Sequence, residues 1–269
     1  MPKTITRLFT PILAVILLSA CSKPIPVTIP FTLTYHDQPV TCSEFGSPSA
    51  NSRFKLKDFR LYLHQIELQN KNGDWSALTL DSNSAWQNDS TALLDFENGD
   101  GDCQGNPGTN TTLIGSLPSA DYQAIRFVVG VPFELNHQNP LIALAPLNES
   151  SMHWHWQGGY KFVRAEFSVD GKSRRLHVGS LQCKGEINAI SHCEKPNRVQ
   201  VELANFTNGP VVIALDKLLD FNLADNKSNL TCMGGSDSPW CLNGLDWIGL
   251  NDDKPQMAFK AGIEVNKNK

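Results

Sequence analysis

With 269 residues, 23 basic and 27 acidic side chains and a formal charge of −4, the chain has no basic block to hold nucleic acid or a charged membrane surface. Its length suits one β-rich domain with a large core. Beyond the N-terminus, no run approaches the ~20 apolar residues that a membrane-spanning helix needs.

The chain opens with Lys3 and Arg7, an apolar run over 8–18, and then Leu18-Ser19-Ala20-Cys21. This resembles a bacterial lipoprotein signal with its lipobox. The resemblance implies removal of residues 1–20 and acylation of Cys21, with Ser22 favouring the outer membrane. The expected organisation is a lipidated tether over 21–27 and a single domain over 28–269. That domain would sit on the periplasmic side of the envelope and touch the membrane through its lipid anchor alone.

Strand-like alternation begins at Val27 and runs over 27–35. The next segment, 59–68, ends in the turn composition Asn70-Lys71-Asn72-Gly73-Asp74. Segments 122–131, 161–169, 174–178, 198–203 and 210–215 continue the pattern. Asp170-Gly171, between two of them, is the strongest hairpin signal in the chain. Only 140–145 and 215–219 suggest short helical turns. The expected fold is all-β, an antiparallel β-sandwich with long loops and disulfides.

Setting Cys21 aside leaves Cys42, Cys103, Cys183, Cys193, Cys232 and Cys241. An even number in an oxidising compartment reads as disulfides, and there is no C-x-x-C pair for a metal cluster. Six cysteines admit more than a dozen connectivities. Closeness in sequence favours Cys183 with Cys193 and Cys232 with Cys241, leaving Cys42 and Cys103, but the alternatives stay open.

The histidines fit neither H-E-x-x-H nor any other catalytic zinc pattern, and G-x-S-x-G and phosphate loops are absent. His64 lies in an alternating strand, where it shares a face with Tyr62, Ile66 and Leu68. His177 is near a strand end, and His137 is in a loop after Val131-Pro132-Phe133. Each alone is an ordinary structural histidine. Together they offer the neutral imidazoles that a soft or borderline metal requires. In Met152-His153-Trp154-His155-Trp156, strand alternation would put Met152, Trp154 and Trp156 on one face, with His153 and His155 on the other. Trp86 has polar neighbours and should sit in an accessible loop. The acidic, Gly-rich stretch 97–102 is better read as a solvated turn tied to Cys103 than as a calcium loop.

Several long motifs, in order, resemble the MbnP-like family of periplasmic copper-binding proteins, also called metallo-mystery-pair four-Cys proteins. They are Leu93-Leu94-Asp95-Phe96-Glu97, the stretch 130–137, Pro146-Leu147-Asn148, the stretch 152–164, His177-Val178-Gly179-Ser180 and the four later cysteines. The resemblance implies a β-sandwich that binds one copper ion. It also implies a di-haem, cytochrome c peroxidase-like (MbnH-like) partner that oxidises a Trp of the copper protein to kynurenine. The chain would then be the substrate of that enzyme and not itself an enzyme. Carried over by motif, His64, His137 and His177 are the first choice for copper ligands, with Met152 as a fourth. Trp86 is the first choice for the oxidised residue, followed by Trp154 and Trp156. The chain departs from the family pattern, Met-aromatic-Trp-Ser-Trp-Gln, at His153 and His155. The expected function is copper storage, sequestration or delivery. The alternative is a non-metal β-sandwich lipoprotein that docks a c-type haem protein as an interaction or electron-transfer module.

Overall fold

The computed structural model describes residues 23–46, 52–82, 84–118, 121–207, 209–221, 228–235, 237–251 and 254–262. The signal segment and Cys21 lie outside the described residues. In chain order the strands are β1 (Ile25–Tyr35), β2 (Gln38–Pro39), β3 (Glu44–Gly46), β4 (Arg53–Asn70), β5 (Trp75–Ala77), β6 (Thr79–Leu80), β7 (Thr91–Asp95), β8 (Thr112–Leu117) and β9 (Tyr122–Val129). They continue with β10 (His153–His155), β11 (Gly159–Val169), β12 (Lys172–Gly179), β13 (Leu181–Glu186), β14 (Ala189–Lys195), β15 (Val199–Ala204), β16 (Val211–Ala214), β17 (Leu230–Cys232) and β18 (Phe259–Ala261). The helices are α1 (Phe133–Asn136), α2 (Asp216–Leu219) and α3 (Pro239–Ile248).

The smaller sheet runs β18-β16-β1-β8-β6, with β2 beside β1. The larger runs β15-β9-β4-β11-β12-β17; β3, β5 and β7 also pair with β4, and β10 pairs with β11. Pairing is antiparallel except for β1 with β16 and β12 with β17. β13 and β14 form a separate two-stranded ribbon.

The two large sheets meet face to face. Ile29, Phe31 and Leu33 of β1 are buried in one cluster with Phe59, Leu61 and Leu63 of β4 and with Ile125, Phe127 and Val129 of β9. Phe31 meets Phe127 edge-on at 6.0 Å, and Phe127 meets Phe259 at 5.3 Å. Burial of each such side chain is worth roughly 1.5–3 kcal/mol, so this interface holds the two layers together. The all-β sandwich expected from the sequence is the observed fold.

β4 keeps its alternation only in pieces. Its pairing with β9 jumps from His64↔Val128 to Glu67↔Arg126, and Gln65 sits exposed in the left-handed region at φ 50. The extra residue is a bulge, and it reverses which face later side chains take. His64 therefore points away from the main core with Tyr62, whereas Ile66 and Leu68 return to that core. The expectation that His64 shares a face with Ile66 and Leu68 is corrected by this one residue.

The remaining local expectations divide. Asp170 and Gly171 turn the β11–β12 hairpin with φ of 47 and 81, the primed-turn geometry that Asp-Gly favours. Residues 215–219 do contain α2, but 140–145 form turns rather than a helix. β1 begins at Ile25, two residues ahead of the expected start. All three favoured disulfides are present: Cys42–Cys103, Cys183–Cys193 and Cys232–Cys241.

The outer face of the larger sheet is also covered. Residues 131–158 fold over it as a roof, and Met152 and Leu147 pack on Tyr62, Tyr160 and Phe162. Two tyrosine hydroxyls pin this roof: Tyr62 donates to the Pro146 carbonyl at 3.0 Å and Tyr160 to the Leu147 carbonyl at 2.6 Å.

Candidate metal centre

Under the roof, β4, β11 and β12 place charged side chains side by side. In-register pairing aligns Arg60, Arg164 and His177, and next to them Asp58, Glu166 and Arg175. Asp58 and Arg60 are almost fully buried and form a close two-point ion pair. Arg164 Nε reaches Asp58 at 3.1 Å and Glu166 at 2.8 Å. Burial would raise the Glu166 carboxyl, yet His177 and Arg164 outweigh it and hold the group down at about 2.

His177 belongs to this network through one nitrogen. Its Nε2 lies 2.8 Å from Glu166 Oε1, whereas its Nδ1 is buried and has no hydrogen-bond partner among the described residues. A carboxylate acceptor holds the Nε2–H tautomer and leaves the Nδ1 lone pair free. The same carboxylate–histidine pairing supports ligating imidazoles in metal sites.

Two further features lie along this end of β12. Gly179, two residues from His177 along the same face, would bring an added Cβ to 2.6 Å from Trp154 Cζ3, so the indole lies over the glycine. On the other flank, β17 runs parallel to β12 with Leu176↔Cys232 in register. One residue beyond this pairing comes Met233, which is 44% exposed. The next residue, Gly234, passes against the carbonyls of His177 and Gly179. Sequence reasoning missed Met233, although its place directly after a paired cysteine was visible.

The expected ligands do not come together as one set. His64 stands on β4, with β11 between it and β12. It is four residues along from Arg60, the partner of His177 in register across β11. Strand spacing puts their α-carbons on the order of 16 Å apart, too far for one ion. His64 is buried beside a cleft of about 620 Å³, and neither ring nitrogen has a partner among the described residues. Burial, reinforced by Arg198, pushes its pKa down to about 4. His137 caps α1. Its Nδ1 lies 3.2 Å from the Trp156 carbonyl and its Nε2 lies 3.8 Å from Cys193 Sγ. Met152 is fully buried in the apolar cluster beneath the roof.

The aromatic segment is not one continuous strand. Ser150–Met152 is a 3-10 turn, β10 is three residues long, and a turn follows. His153 and His155 therefore have different surroundings: His153 Nε2 is buried without a partner, whereas His155 is exposed and its Nδ1 accepts from Gly158 N. Lys161 packs beneath and donates to the carbonyls of Ser151 and His153 at 2.6 and 3.3 Å; burial draws its pKa down to about 8. Trp156 is 39% exposed. Trp86 is half-buried rather than open, set against Gly108 and the same apolar cluster. The 97–102 stretch is tied down by Asp102 ion pairs to Lys55 and Lys57, and Glu97 is fully buried rather than solvated.

These features define a class: a disulfide-stapled β-sandwich whose larger sheet carries a roofed, histidine-bearing outer face. The MbnP family profile matches residues 24–234, and the chain belongs to the MbnP family. It is similar in structure to MbnP from Methylosinus trichosporium, with a TM-score of 0.74 and 28% identity, covering 88% of this chain and 98% of that one. No curated protein matches the chain.

Proposed function

We propose that the chain is a copper-binding protein of the periplasm that holds copper between His177 Nδ1 and the Met233 thioether, with Trp154 as the wall of the site. The observation that carries this reading is the buried, unpartnered His177 Nδ1, whose other nitrogen is fixed by Glu166. Imidazole and thioether are donors that a soft cation prefers, so the residues fit the metal. Bound copper would supply a soft, redox-active cation available for storage or delivery. Glu166 orients the imidazole, and the roof over 131–158 limits water around it.

Of the three candidate tryptophans, Trp154 is the one that lies over Gly179, two residues from His177 on β12. A di-haem peroxidase-like partner would oxidise its indole with two peroxides, reduced to water, to N-formylkynurenine, and hydrolysis would release formate and leave kynurenine, with a carbonyl and an aniline nitrogen to offer the metal. The chain itself acts as carrier and substrate and carries out no catalysis. Attachment through Cys21 would hold it at the outer membrane.

The test is copper content and peptide mapping after co-expression with the di-haem partner. The expected result is one copper per chain, lost in His177→Ala and Met233→Leu, with the kynurenine mass on the Trp154 peptide. Copper that persists in His177→Ala, or a modified Trp86 in place of Trp154, overturns the assignment.

A further inference from the structure

A second cluster of ligand atoms lies outside that site. His137, Cys183 and Cys193 bring an imidazole nitrogen and two sulfurs within 4.8 Å of one another. In the folded chain the sulfurs are joined as a disulfide and hold no thiolate charge. We propose that reduction of Cys183–Cys193 opens a metal site of two thiolates and His137 Nε2, which takes a soft or borderline cation.

The geometry is prepared on the histidine side. The Trp156 carbonyl is an acceptor 3.2 Å from His137 Nδ1, which puts the proton there and leaves the Nε2 lone pair facing Cys193 Sγ at 3.8 Å. An outer hydrogen bond from the far nitrogen to a carbonyl is the usual support of a ligating imidazole. Zinc–sulfur and zinc–nitrogen bonds of about 2.3 and 2.1 Å put tetrahedral ligand atoms ~3.5–3.8 Å apart, so the N···S separation already suits a shared ion. Only the two sulfurs must part. The Asn136 amide, 3.2 Å from Nε2, is the donor that the cation would displace.

The cysteines sit where such parting is feasible. They face each other in register on β13 and β14, a ribbon that belongs to neither large sheet and is mostly exposed. Cys193 is half-buried and Cys183 buried, whereas Cys232 and Cys241 are both fully buried. The ribbon is latched to the tryptophan segment by Gln157, which donates to the Cys183 carbonyl at 3.0 Å.

The electron and proton balance is that of thiol–disulfide exchange. A dithiol donor attacks one sulfur and closes to its own disulfide, and Cys183 and Cys193 each gain a proton as the S–S bond breaks. A divalent cation then displaces both thiol protons.

The probe is Co²⁺, read by its thiolate charge-transfer absorption, so failure of copper to bind at His177 leaves the result untouched. The chain is reduced with a dithiol, freed of it without oxygen, and titrated, with alkylation mapping to identify the open pair. The expected outcome is absorption saturating at one cobalt per reduced chain and none for the oxidised chain. His137→Ala should bind about tenfold more weakly or worse. Removing both thiols in Cys183→Ser with Cys193→Ser should abolish the band. His137→Ala keeps the disulfide and tests the site even if the double variant does not fold. Absorption in the oxidised chain, unchanged affinity in His137→Ala, a band that survives in the double variant, or unfolding on reduction overturns the proposal.

Discussion

The Trp154 indole occupies the space that a side chain at Gly179 would fill, with Cζ3 only 2.6 Å from where a Cβ would be. The same Cβ would meet the Tyr160 carbonyl at 2.7 Å, a backbone atom of β11, which is paired with β12 at this point. Gly179→Ala should therefore push the ring off β12. Overpacking of this kind costs about 1–3 kcal/mol, visible as a lower melting temperature. If Trp154 walls the copper site, bound copper should fall in the same variant; unchanged stability and copper content would count against both statements.

His64 should make the protein acid-sensitive. Its folded pKa of about 4 lies below its usual 6.5, so the unfolded chain takes up the proton first. The stability contributed by the neutral ring is complete above 6.5 and is lost as the pH falls toward 4, by at most about 3 kcal/mol. Asp95, pushed up to about 7 by burial, acts in the opposite direction over this range. The informative quantity is thus the difference between wild type and His64→Leu in denaturant midpoint. Leu should gain on wild type between pH 6.5 and 4; parallel curves would refute this.

Glu166 acts in a lower window. Its carboxyl is held at about 2 against a usual 4.5, so its contribution is present above 4.5 and lost as the pH falls toward 2. Glu166→Gln should flatten that limb of the stability curve. It should also weaken copper binding about 10–100-fold, because the imidazole loses the carboxylate that orients it. Measurement of both effects in one variant checks that the ion pair and the metal depend on the same oxygen.

Trp154→Phe and Trp86→Phe should behave differently. The first keeps an aromatic ring over Gly179 but has nothing to convert to kynurenine, so copper retention after co-expression should be lost. The second changes a ring packed on Gly108 and should leave copper in place. Equal copper in both variants would remove Trp154 from the site.

Much of the fold was legible because its signals are local. Period-two alternation, Asp170-Gly171 and paired cysteines close in sequence need no tertiary information. The ten-residue helix α3 went unnoticed despite local signals: Ser238 accepts from Cys241 N, Pro239 stands in the first turn, and Gly249 closes it at φ 89. The site was less legible because it depends on register. Nothing near Met233 in sequence links it to β12; the strand just before it reaches β12 through the parallel pairing of β17. Likewise His64 seemed to belong with Ile66, because a bulge leaves no compositional mark when its extra residue is a glutamine.

That bulge makes residue 65 a one-residue insertion in an otherwise regular strand, under little constraint in identity or in length. Gln65 is exposed and could be exchanged for another polar residue at little cost, glycine most easily at its positive φ. Deleting it would restore plain alternation, with His64 still facing outward and Ile66 and Leu68 still facing the core, so that only the local kink and twist beside the cleft would be lost. A family alignment that accepts a gap at this position more readily than at its neighbours is the evolutionary signature to expect.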